Sequence, residues 1–136
     1  MKYNGVIEAK LRVIDETLLE MERWQIDSFS AFKANYVLQK AVERTLQIVI
    51  EAIIDIGEHI LALNKGPLPS SSSATICRLQ ELGMISDDEE YVNMIRFRNF
   101  IVHRYEKIDL AIVYNIFKNK LSVFHKFVNE IRQSCS

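Results

Sequence analysis

A chain of 136 residues, 49% of them apolar, is long enough for one domain with a sizeable core. Its formal charge of −1 excludes a global field that draws in nucleic acid, so any such attraction has to be local. No apolar run reaches the roughly eighteen residues of a membrane span, and the start, MKYNGVIEAKL, meets acidic residues too early for a signal peptide.

Apolar residues recur at intervals of three and four, never two, which predicts helices throughout. The first helix is expected from about Gly5 to Trp24, with Ile7, Leu11, Ile14, Leu18 and Met21 as its stripe. A long second helix should run from about Ser30 to Leu63, with a stripe of Leu38, Val42, Leu46, Val49, Ile53, Ile56, Ile60 and Leu63. NKGPLP stops it, with a glycine free to take a positive φ and a proline that cannot continue the helix. GPLPSSSSA reads as a loop, and a short helix from about Ala74 to Leu82 follows, ended by Gly83.

SDDEEYVNMI opens the next helix, with Ser86 as N-cap and Glu89 at capping-box spacing. Asp87, Asp88 and Glu90 suit the positive end of the helix dipole. This helix should reach about His103 or Arg104. Asp109 then caps a last helix striped by Leu110, Val113, Phe117, Leu121, Phe124, Val128 and Ile131. The expected fold is all-α: an antiparallel bundle of four long helices and one short one, forming a single domain over residues 1–136.

The chemistry concentrates in RFRNFIVHRYEKID, Arg96 to Asp109. At 100° per residue, Tyr91, Met94, Ile95, Ile101, Val102 and Tyr105 fall within about 60° of Arg98. Arg98 thus lies in mid-stripe, where a charge is costly unless it is paired or reaches a wet cleft. His103 points about 140° away, with Arg96 and Asn99 near it, at about 160° and 100°. Phe100 shares that second face, where an exposed aromatic needs a reason.

Two readings stand at this point. In one, Arg98 is structural and bonded to an acidic residue of the second helix, His103 and Arg104 complement the helix dipole, and Tyr105 is core. In the other, the arginine fork grips a phosphate, the histidine exchanges a proton near neutral pH, and RNA is cleaved without a metal. Arg98 and His103 diverge too far on one ideal helix to share a phosphate. Either the helix bends near His103, or two copies combine across a symmetric interface, an option that Phe100 favours.

RNFIVHRY, Arg98 to Tyr105, resembles the R-x4-H-x-Y pattern of HepT-like HEPN-domain toxins, including the polar Asn99 after the arginine. QKAVERTLQIVIEAIIDIGEHILA, ATICRLQELGMIS and VHRYEKID are similar to the family's long helix, short helix and turn into the last helix. The resemblance extends over most of residues 1–135. It implies an all-α, homodimeric, metal-independent endoribonuclease acting as a toxin, with no cofactor. Arg98 and His103 would be catalytic, and Arg96, Asn99 and Arg104 would support the site or bind RNA. The partner it implies is an MntA-type nucleotidyltransferase antitoxin that transfers AMP to Tyr105, placing bulk and negative charge beside the site. The alternative is a non-catalytic nucleotide- or RNA-binding HEPN module that regulates the nucleotidyltransferase. Arg96 departs from the small residue that many relatives carry there, and it adds a charge near His103.

Other candidates are weaker. His59 in GEHI lacks the second histidine of a zinc motif, and His125 stands alone on its helix. Glu43, Glu51, Asp55 and Glu58 read as a solvated or partner-facing row, one of which could pair with Arg98. The serines at 70–73 have no acid–base partner. Cys77 and Cys135 are far apart and lack activating neighbours, as suits a reduced, cytoplasmic protein.

Overall fold

The computed structural model describes residues 5–102 and 109–135, and all regular structure among them is helical. The helices are α1 (Gly5–Glu22), α2 (Phe29–Lys33), α3 (Tyr36–Leu63), α4 (Ser72–Glu81), α5 (Glu89–Val102), α6 (Leu110–Asn119) and α7 (Leu121–Cys135). The all-α expectation holds. The α1 stripe is buried as the spacing predicts, and the last-helix stripe is buried from Val113 to Ile131. α3 is the central rod, packed against α1, α2, α4, α5 and α6.

Two expected helices are each broken in two. The second breaks at Asn35, whose side chain accepts from the Leu38 N–H at 3.0 Å and so starts α3. The buried Gln39 amide closes the break by donating to the Phe32 and Lys33 carbonyls at 3.0 and 2.9 Å, at the C-terminal end of α2. Ser28 caps the start of α2, and the fully buried Phe32 anchors it. The last helix breaks at Lys120, whose φ is −120° and whose ammonium reaches Glu90 on α5 at 2.8 Å. Asp109 caps α6 through the Ala111 N–H, as expected.

Three local expectations are corrected. Lys65, not Gly66, takes the positive φ (57°) after α3. Ser71, from the serine run, caps α4 by accepting from the Ala74 N–H. Ser86 does not cap α5: its N–H and hydroxyl both bind Glu130 of α7, and Asp88 instead accepts from the Glu90 N–H at 2.9 Å. The long-range carboxylate outcompetes the local capping box because it also accepts from the buried Tyr91 hydroxyl. Gly83 (φ +71°) does end α4. The Met84 N–H bonds to the Leu79 carbonyl and the Gly83 N–H to the Gln80 carbonyl, each at 3.0 Å.

α3 and α4 meet through Gly57. A Cβ there would lie 2.8 Å from Thr75 Cγ2 and 3.1 Å from Leu79 Cδ1, and both neighbours are buried. Overpacking costs about 1–3 kcal/mol, against roughly 1 kcal/mol gained when alanine replaces a helical glycine. Gly57→Ala is therefore expected to lose about 1 kcal/mol in urea unfolding. Adding Thr75→Ala should recover part of the clash, so strict additivity of the two substitutions would contradict this packing.

The start of α5 is tied to α6 and α7 by charge. Lys126 binds Asp88 at 2.8 Å, and Lys120 binds Glu90. Asp88 is held below the usual carboxylate range, chiefly by Lys126 and then by the Glu90 N–H. Glu90 is held low by Lys120 and then by the Asn93 amide. Groups with depressed folded values stabilise fully above the ordinary carboxylate pKa and lose that contribution as pH falls through the folded value. Melting temperature should therefore fall as the pH drops below about 5 and through the ordinary carboxylate range. Lys126→Met should lower it at neutral pH and flatten that acid limb. An acid limb unchanged by the substitution would contradict the assignment.

Candidate functional site

α5 carries the described part of the motif and presents two flanks. Tyr91, Met94, Ile95 and Ile101 are buried, as the mid-stripe position of Arg98 requires, but Val102 is 43% exposed. Phe97, set outside the stripe by angle, is 6% exposed. The buried face is thus wider than expected, because Phe97 turns toward α6 and α7.

Arg98 lies on the α3 flank. Its side chain is 25% exposed, and its Nη1 donates to Asn99 Oδ1 at 3.1 Å. Its Nε is 3.9 Å from Glu51 Oε1, an ion-pair distance too long for a hydrogen bond. That Nε is buried and has no hydrogen-bond partner. A buried charged donor left unmade costs about 1–3 kcal/mol or more. Glu51 is itself held by Gln47, whose amide donates to the same Oε1 at 3.0 Å.

The acidic row on α3 is therefore not uniformly solvated. Glu43 is 1% exposed, with Lys40 at 3.4 Å, because its position faces the core rather than water. Asp55 pairs with Lys10 of α1, Glu58 is exposed, and Glu51 is the member that meets Arg98. The sequence offers four acidic candidates on α3, and the residue it does not single out is Gln47. The i, i+4 spacing of Gln47 and Glu51 was the available signal.

The other flank of α5 opens on a cleft of about 420 Å³. Phe97 and Phe100 line it from α5, Ile112 and Ile116 from α6, and Val123 and Phe124 from α7, with Ile50 of α3 contributing as well. Arg96 and Lys120 stand at it as cations, with the Asn93 and Asn115 amides. Arg96 makes no ion pair among the described residues, whereas Lys120 is engaged by Glu90. Phe100 is 40% exposed, as expected of an aromatic facing out. The structure thus brings Asn99 to Arg98 and sets Arg96 on the opposite flank. His103, Arg104 and Tyr105 lie outside the described residues.

Among the described residues no three His, Cys, Asp or Glu gather as a metal-ligand set. His125 Nε2 lies 2.6 Å from Glu22, and His59 is half-buried on α3. Cys135 is buried, and burial raises its thiol pKa, which disfavours the reactive thiolate. Cys77 is exposed. No described helix is long and apolar enough to cross a membrane.

Comparison with known proteins bears on this arrangement. A family model described as Ribonuclease HepT-like matches residues 11–131. The mRNA nuclease HepT of Shewanella oneidensis is 29% identical over 131 residues, covering 95% of this chain and 98% of that one. The tRNA nuclease HepT of Aphanizomenon flos-aquae is 24% identical over 128 residues, covering 93% and 87%. A solved structure of the tri-AMPylated Shewanella oneidensis HEPN toxin in complex with MNT antitoxin matches with a TM-score of 0.87 and 28% identity. That match covers 96% of this chain and 99% of the toxin chain.

Proposed function

The chain belongs to the HepT-like ribonuclease family, and from that premise we propose that it is a metal-independent endoribonuclease serving as the toxin of a toxin–antitoxin pair. It acts in the cytoplasm as a homodimer of one HEPN-like domain spanning residues 1–136. Its partner is an MntA-type nucleotidyltransferase, which silences it by transferring AMP to Tyr105. The observation that carries this reading is Arg98: a guanidinium kept part-buried in an apolar stripe, steadied by Asn99, with one buried donor unmade. Most buried side-chain donors of purely structural groups are hydrogen-bonded, so a part-buried guanidinium with donors to spare suits a group that receives an anion.

The chemistry follows from the residue types. His103 takes the proton of the RNA 2′-hydroxyl, or returns one to the leaving oxygen. The 2′-oxygen attacks phosphorus and the bond to the 5′-oxygen breaks. Arg98 holds the charge that develops on the phosphate. Asn99 orients Arg98, and Arg96 and Arg104 hold flanking phosphates. The angular divergence of Arg98 and His103 on one helix is resolved by drawing them from two copies, with Phe100 at the contact. In this account the site is composite.

The test is gel analysis of total RNA incubated with purified protein. Fragments that accumulate with the wild type support the nuclease. Intact RNA after long incubation, with binding that weakens steeply in salt, would instead make the protein a non-catalytic RNA-binding regulator of the nucleotidyltransferase.

A further inference from the structure

We infer that Glu51, itself fixed by Gln47, is the positioning residue for Arg98, turning the guanidinium so that its outer nitrogens face the scissile phosphate. The inference rests on the ribonuclease reading above and extends it to α3.

Three observations carry it. First, Glu51 Oε1 is the acceptor nearest the buried, unmade Nε of Arg98, at 3.9 Å. A guanidinium has five donors in a rigid plane, so fixing the Nε edge fixes the direction of the other two nitrogens. Second, Nη1 already donates to Asn99 Oδ1. With Asn99 beside it and Glu51 behind it, Arg98 is held from two sides, and Nη2 with the second Nη1 hydrogen remains for an anion. Third, Glu51 does not float. It is half-buried on the central helix, and Gln47 donates to the very oxygen that faces Arg98. That donation leaves Oε1 able to accept once more, and Nε–H is the donor in line.

At 3.9 Å the pair is held by charge attraction rather than by a formed hydrogen bond, and a small shift of the guanidinium closes it. Asp55, exposed and one turn away on α3, pairs directly with Lys10 of α1, an ordinary structural ion pair by contrast.

The experiment compares wild type, Glu51→Ala, Glu51→Gln, Gln47→Leu and Arg98→Ala, using one fluorescent mixed-sequence single-stranded RNA. Single-turnover cleavage rate, RNA affinity, helicity and melting temperature are read for each. Glu51→Ala should slow cleavage roughly 10- to 100-fold, the scale of a misplaced reacting group, with RNA affinity little changed. Glu51→Gln keeps an acceptor at the same place and should recover most of that rate. Gln47→Leu should give a smaller loss in the same step.

Three outcomes overturn the inference. Glu51→Ala cleaving at the wild-type rate while Arg98→Ala is dead removes Glu51 from the site. Equal losses in the alanine and glutamine variants remove its role as acceptor. Rates that fall only in proportion to folded protein make Glu51 structural. A wild type that never cleaves, with Arg98→Ala indistinguishable from it, is a different failure: it overturns the ribonuclease reading and the inference with it.

Discussion

Replacing His103 with alanine is expected to reduce RNA cleavage by roughly 10²–10⁴, the range that a positioned acid or base contributes. Arg98→Ala should cost a similar 10²–10³, as loss of one preorganised donor to a developing charge does. On the barrier these are about 3–5 kcal/mol, far beyond what a surface change costs in stability. Neither variant should lose helicity. Arg98 is the harder case, because its side chain is only 25% exposed and shares α5 with the buried Met94, Ile95 and Ile101. Truncation there removes a desolvated charge as well as some contact area, and these effects oppose one another. Arg98→Met, of similar length and without charge, separates them: it should fold at least as well as wild type and still fail to cleave. A stable His103→Ala dimer with undiminished cleavage would remove the proposed acid–base role, and growth inhibition in cells should follow the same order.

Tyr105→Phe is expected to uncouple the protein from its antitoxin. The hydroxyl is the proposed acceptor of AMP, so the phenylalanine variant cannot be modified there. Co-expression with the nucleotidyltransferase and ATP should add one or more AMP units to wild-type Tyr105, read by mass spectrometry of the intact chain and its peptides. The modified protein should lose cleavage as completely as His103→Ala. The cause is local: each phosphate brings negative charge and strong acceptors, which occupy arginine donors and repel the RNA backbone. Tyr105→Phe should remain unmodified and toxic in the same cells. Modification at another residue, or none, would contradict this regulation without touching the nuclease assignment.

Which parts of this were readable beforehand follows the range of the interactions. The α1 stripe and the stripe from Val113 to Ile131 are local periodicity, and the latter survives the break at Lys120 because its spacing of three and four continues across it. The breaks themselves were not legible. Asn35 is a capping type, but its effect depends on Gln39 closing the α2 carbonyls and on Phe32 being buried, both consequences of packing. Ser86 and Glu89 spell a capping box, yet Ser86 is claimed by Glu130, 44 residues away. The motif was found by spacing and resemblance. Its α3 half was not, since choosing Glu51 among four acids needs the registry of α5 on α3, which is a matter of packing between helices far apart in the chain.

The central claim is that one phosphodiester is gripped by the Arg98 of one copy and the His103 of the other. Mixing the two inactive variants, Arg98→Ala and His103→Ala, under conditions that exchange subunits tests this most directly. A mixed dimer then holds one site with both groups intact and one with neither. Random exchange makes about half the dimers mixed, so cleavage should return to roughly a quarter of the wild-type rate. If each site belonged to a single chain, no mixed dimer would contain an intact pair. A mixture as inactive as its components, with subunit exchange verified, would contradict the composite site.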